Sequence, residues 1–248
     1  MKYIYIANWK MNLSFTQSID FCEDNFILLQ ELSNNATVVL CPSFVALASL
    51  ATKLKNSSIA IGAQNCSEYE TGAYTGEVSA LSLAQVGTAY CIVGHSEQRM
   101  YHNETTEKII KKIKLLYHYN INPVLCIGET YDDLINNQTH TVLANQLTPI
   151  LIAIAQEKND KKNIIVAYEP LWSIGTGMIP EPQQLVTIFA YLAQLIPTIL
   201  PDYSVQLLYG GSVQKNNSVT LKKNPYINGF LIGNASINFK EFSAIIIN

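Results

Sequence analysis

A chain of 248 residues, 48% hydrophobic and 14% charged, has room for one large domain or two small ones and length enough for a substantial core. Its net charge of −3 supplies no basic footprint for nucleic acid. No run of about 18 apolar residues offers a membrane-spanning helix, and apolar residues spread along the chain exclude bulk disorder.

Short apolar runs recur from end to end: Tyr3–Ala7, Thr37–Cys41, Ile59–Ala63, Ala89–Val93, Pro123–Ile127, Ile164–Ala167, Val205–Leu208 and Gly229–Ile232. Such unalternated stretches suit strands buried on both faces, as in a parallel sheet. Between them lie segments of helical period. Glu104–Leu116 is the clearest, with Ile109, Ile110, Ile113 and Leu116 on one side and four lysines elsewhere. Thr141–Ile154 and Gln183–Leu195 read the same way. Eight strands alternating with helices predict an α/β fold, a single-domain (β/α)₈ barrel over residues 1–248, with an open doubly wound sheet as the alternative. No Pro-, Gly- or Ser-rich linker divides the chain.

The opening MKYIYIANWKMN lacks the charged region, apolar stretch and cleavage site of a leader, so a cytoplasmic location is expected. Cysteines 22, 41, 66, 91 and 126 form no C-x-x-C pair and suit reduced thiols. Cys41, Cys91 and Cys126 end apolar runs and read as packing residues.

Chemistry-bearing residues fall just after these strands. Asn8-Trp9-Lys10 follows the first, Gly94-His95-Ser96-Glu97 the fourth and Tyr168-Glu169-Pro170 the sixth. In a barrel they converge on one face, where such enzymes keep their active sites. Lysine, histidine and glutamate there suggest an electrostatic group, an electrophile and a base. Gly210-Gly211-Ser212 after the seventh strand and Gly233-Asn234 after the eighth leave backbone N–H groups open to a phosphate. Beyond Glu169 runs Pro-Leu-Trp-Ser-Ile-Gly-Thr-Gly-Met-Ile-Pro180, a candidate lid with a proline at each end and Gly175 and Gly177 inside. Gly175-Thr-Gly177 lacks the third glycine and the position of a dinucleotide fingerprint. No His, Cys or carboxylate spacing resembles a metal site. His102, His118 and His140 read as surface residues.

The sequence also resembles the triosephosphate isomerase family across its whole length. The matching stretches are Ala7-Asn-Trp-Lys-Met-Asn12, Gly62-Ala-Gln-Asn65, Gly72-Ala-Tyr-Thr-Gly-Glu77, Val93-Gly-His-Ser-Glu97, Leu125-Cys-Ile-Gly-Glu129, Ala167-Tyr-Glu-Pro170, Ile174-Gly-Thr-Gly177 and Tyr209-Gly-Gly-Ser-Val213. The resemblance implies a triose phosphate substrate and no cofactor or metal. It makes Glu169 the base, His95 the neutral electrophile, Lys10 the positive charge and Glu97 its support, with Asn8, Gly175, Ser212, Gly233 and Asn234 holding substrate. It further implies a homodimer in which the loop 64–77, with Thr75 near its tip, enters the partner subunit near Asn12, Lys10 and Glu97. Asn234, Pro180 and Gln98 depart from the family pattern, where glycine, alanine and arginine are usual. If position 234 needs positive φ, asparagine is the least costly replacement. Pro180 is expected to alter the lid hinge, and Gln98 to weaken an ion pair near the dimer contact. Two rivals remain. A Schiff-base aldolase would want a lysine where the sixth strand ends in Glu169, and a binding protein without activity would be expected to have lost one of the three reactive groups.

Overall fold

A computed structural model describes residues 2–157 and 163–248. Among these residues the chain forms eight strands: β1 Ile4–Asn8, β2 Thr37–Cys41, β3 Ala60–Ala63, β4 Tyr90–Val93, β5 Asn122–Ile127, β6 Asn163–Tyr168, β7 Ser204–Tyr209 and β8 Gly229–Ile232. Each lies parallel to the next, and β8 returns to β1 with Ile4 opposite Gly229 and Ala7 opposite Ile232. An open doubly wound sheet would leave both end strands unpaired, so that alternative falls.

Side-chain parity divides the strands' apolar residues between two cores. One parity points outward, where Tyr5, Val38, Leu40, Val93, Leu125, Val166, Leu207 and Phe230 pack under the helices. The other fills the barrel interior with Ile4, Ile6, Val39, Ile92, Val124, Ile165, Leu208 and Leu231. With both faces dry, the middles of most strands lack the polar residues that an alternating strand would show. Closure is tight at Gly229, where a Cβ would come 2.0 Å from the Ile4 carbonyl oxygen.

Strand edges shift from the apolar runs by a residue or two. Tyr3, Ile59 and Ala89 lie just outside, whereas Asn122 and Asn163 join β5 and β6. The Asn163 amide donates to Asn122 Oδ1 at 2.9 Å, so a polar pair extends the strands beyond their hydrophobic signal. The three expected helices occupy Thr106–His118, Thr139–Ala155 and Pro182–Ile199. Pro149 and Pro197 sit inside the last two. Each removes one N–H, but buried Leu143, Leu147, Ile150, Leu151 and Ile154 hold the first of these helices against the barrel.

One lysine of Thr106–His118 departs from the expected polar side. Lys112 is buried, paired with Glu104 and donating to Asn65 Oδ1 at 2.8 Å. The carboxylate supplies the countercharge that lets an ammonium leave water. No helix among the described residues is long and apolar enough to cross a membrane.

Candidate active site

The interior parity of the strands, followed to their last residue or just beyond it, delivers the polar residues. Ile4 and Ile6 on β1 lead to Asn8, and Ile165 and Ala167 on β6 lead to Glu169. At this C-terminal mouth lies a cleft of about 340 Å³, whose wall includes Asn8, Lys10, His95, Glu169, Gly175, Ser212, Gly233 and Asn234. Glu97 is not on that wall.

Glu169 is only 2% exposed, with Oε1 3.3 Å from His95 Nε2 and Oε2 buried without a hydrogen-bond partner. Two glycines leave room for it. A Cβ on Gly128 would come 1.8 Å from the Glu169 carbonyl oxygen, and one on Gly210 would come 2.7 Å from Glu169 Cγ. The backbone is fixed independently, since Glu169 N–H donates to the Ile127 carbonyl at 2.8 Å. Gln146 clamps Gly128 from the far side, accepting from its N–H at 3.0 Å and donating to its carbonyl at 2.8 Å.

His95 precedes the helix Ser96–His102 and caps it, its Nδ1 accepting the Glu97 N–H at 3.2 Å. Capping and chemistry therefore coincide. With Nδ1 engaged as an acceptor, the neutral ring carries its proton on Nε2, which faces the cleft. The turn before it is held from two sides. Glu104 Oε2 accepts the Gly94 N–H at 2.8 Å, and Arg99 donates to the carbonyls of Gly94 at 2.7 Å and Cys126 at 3.2 Å.

Lys10 adopts φ 51°, a left-handed conformation uncommon for a residue with a Cβ. Its surroundings account for that conformation. Gln64 Nε2 donates to the Lys10 carbonyl at 2.8 Å and to the Cys41 carbonyl at 2.9 Å, while Asn8 Oδ1 accepts the Lys10 N–H at 3.2 Å. Lys10 Nζ lies 2.6 Å from Glu97 Oε1. Glu97 thus reaches the site through the lysine.

The lid candidate starts with a 3₁₀ turn, Leu171–Ser173, and exposes Gly175, Thr176, Gly177 and Met178 before buried Pro180. Beneath its first turn, buried Glu129 Oε1 accepts from Tyr168 OH at 2.9 Å and Trp172 Nε1 at 3.1 Å. Asn234 opens a second 3₁₀ turn, Asn234–Ile237, and is not among the described residues of positive φ. The condition that would have favoured asparagine over other residues there does not arise, and its exposed side chain borders the cleft. Gln98 has gained a role of its own, accepting from Asn65 Nδ2 at 3.1 Å and so joining the loop after β3 to the helix after β4.

Sequence reasoning assigned no part to Gln64, Arg99, Glu104, Glu129, Gln146 or Ser173. Gln64 and Glu129 stand inside two of the matching stretches, which was the available signal. Gln146 holds Gly128 from 18 residues along the chain, and Arg99, Glu104 and Ser173 use side-chain contacts to backbone that no periodicity reveals.

Comparisons with known proteins bear on this arrangement. The family model described as triosephosphate isomerase matches residues 3–248. The chain belongs to the triosephosphate isomerase family. It is 39% identical to the triosephosphate isomerase of Alkaliphilus metalliredigens over 248 residues, covering 99% of this chain and 98% of that one. It is 37% identical to that of Bacteroides fragilis, again over 99% and 98% of the two chains. The Clostridium botulinum enzyme is 35% identical, over 98% of each. The isomerase interconverts dihydroxyacetone phosphate and D-glyceraldehyde 3-phosphate, a step of glycolysis.

Proposed function

We propose that Glu169 is the base of this isomerisation, with His95 and Lys10 as its electrostatic partners. The carboxylate takes a proton from the carbon beside the substrate carbonyl, whose electron pair moves to form an enediolate. His95 donates its Nε2 proton toward the carbonyl oxygen, and Lys10 supplies positive charge to the enediolate and phosphate. Glu169 then returns the proton to the former carbonyl carbon, while the proton of the adjacent hydroxyl passes by way of His95 Nε2 to the former carbonyl oxygen, so that carbonyl and hydroxyl exchange places. Asn8 positions the substrate, Glu97 holds Lys10, and Gly175, Ser212, Gly233 and Asn234 cradle the phosphate. The observation that carries this reading is the buried Glu169 carboxylate meeting His95 Nε2 at 3.3 Å in a cleft that Lys10 also lines. Donors fixed in such a site oppose developing oxyanion charge more strongly than water does. None of these roles calls for a metal or an organic cofactor.

The same reading takes residues 1–248 as one catalytic domain, in the cytoplasm, acting on a small phosphorylated substrate. It also takes the active form as a homodimer joined through the loop 64–77. The exposure of residues 69–77 supports this, as do Met11, Phe44 and Val45, exposed apolar residues just beyond β1 and β2. Tyr69 and Tyr74 stack at 3.8 Å with rings 5° apart, giving the loop a preset shape.

A coupled assay of glyceraldehyde 3-phosphate conversion tests the assignment. Glu169→Asp withdraws the carboxylate by one methylene and lowers kcat by about 10²-fold or more, while EDTA leaves the natural chain's rate unchanged. A variant of near-normal kcat would remove Glu169 as the base, and trapping of substrate by borohydride would favour the aldolase reading.

A further inference from the structure

Ser173 has a hydroxyl that joins three segments and is not needed for the chemistry above. It is fully buried, and its Oγ donates to the Met178 carbonyl at 2.5 Å, across the lid from its own position. The single hydroxyl proton is thereby used. Its remaining contacts are then ones it accepts, from Tyr209 OH at 3.1 Å and from the Ser212 N–H at 3.2 Å. One atom therefore closes the lid on itself and fastens it to the segment after β7. The Ser212 N–H it occupies belongs to the backbone assigned above to the substrate phosphate.

We propose that Ser173 is a positioning residue, a latch that competes with the substrate phosphate for the Ser212 N–H. An amide N–H aimed at Ser173 Oγ cannot also point into the cleft at full strength, so phosphate binding has to break that bond. The phosphate gains the amide as the lid loses its tie to β7, which links anion arrival to lid release. A ligand can shift such an equilibrium only by binding the two states unequally, and the shared N–H supplies that inequality. Removing the hydroxyl removes one competitor for the amide, the Tyr209 hydroxyl being the other, so the variant should bind phosphate more tightly. A hydroxyl serving only to brace the lid would give the opposite sign, because a loosened lid holds the anion less well.

The inference rests on the phosphate assignment to Ser212, and its test separates the two. Inorganic phosphate is the probe, read as a competitive inhibitor of isomerisation and by hydrogen exchange at the Ser212 amide. In Ser173→Ala the inhibition constant falls by about three- to tenfold, the worth of one net hydrogen bond. The Ser212 amide, slow to exchange in the natural chain without phosphate, exchanges faster in the variant and slows again when phosphate is added. Ser173→Cys keeps the side-chain size with a weaker acceptor and falls between, which serves if the alanine variant folds poorly. An inhibition constant unchanged or raised in both variants overturns the latch while leaving phosphate at Ser212. No response of the Ser212 amide to phosphate in either protein overturns both.

Discussion

Glu129 shows how a single buried side chain can set a pH dependence away from the chemistry. Burial raises its carboxyl above the ordinary value, against the opposing pull of hydrogen bonds from Trp172 and Tyr168. The folded protein therefore holds that proton more readily than the unfolded chain. Its contribution to stability is complete below the unfolded pKa and is lost as pH rises through the folded one. Glu129→Gln carries no charge at any pH and escapes that loss. Its melting temperature relative to the natural chain should rise as pH increases above the ordinary carboxyl range of about 4, read by thermal unfolding at a series of pH values. A difference independent of pH would show that the carboxyl is not destabilised by its site. In the sequence Glu129 only closes the stretch Leu125-Cys-Ile-Gly-Glu129, with nothing nearby to indicate its role. Its partners, Tyr168 and Trp172, are about forty residues away, and only the barrel makes them neighbours.

At the scale of elements, the lid and the strands differ in how openly the sequence declares them. Strand cores were legible because burial on both faces forces continuous apolar runs, and Thr37–Cys41 and Gly229–Ile232 were placed to the residue. Their ends were not, because Asn122 and Asn163 extend strands through polar pairing. The buried pair Glu104–Lys112 was hidden for the same kind of reason, since periodicity reads a lysine as solvent-facing until its countercharge is in view. The segment proposed as a lid drew notice through its two prolines and two glycines. What its hydroxyl at Ser173 bonds to was not legible. Pro180 is buried at the lid's far end, with fixed φ and no N–H to donate. Pro180→Ala restores backbone freedom there, and lid exchange measured by NMR relaxation dispersion should quicken by about two- to fivefold, the range of proline entropy effects. An unchanged exchange rate would sink that role for the proline.

For the whole molecule, the proposed homodimer turns on one loop. The loop 64–77 has its base tied down by Gln64 and Asn65, while Tyr69 to Glu77 stand in solvent when one subunit is taken alone. Lys10 is held through its carbonyl by Gln64, so the root of this loop and the cation proposed above to act on the substrate share a hydrogen bond. Disturbing the dimer should therefore reach the chemistry. Thr75→Arg, at the loop's exposed tip, should convert a dimer at micromolar concentration into monomer in sedimentation and lower kcat with it. A fully active monomer of the natural chain would refute both the assembly and that coupling.

The free cysteines have a practical meaning for how this protein ages. All five are buried, and desolvation raises the thiols of Cys22, Cys41, Cys91 and Cys126 above the ordinary value. Reaction with a thiol reagent, or damage by an oxidant, has to wait for the structure to open. The rate at which the five sulfurs are modified is then a clock for excursions out of the native state. Small losses of stability elsewhere in the chain would be recorded first as faster oxidation, well before any loss of fold could be seen.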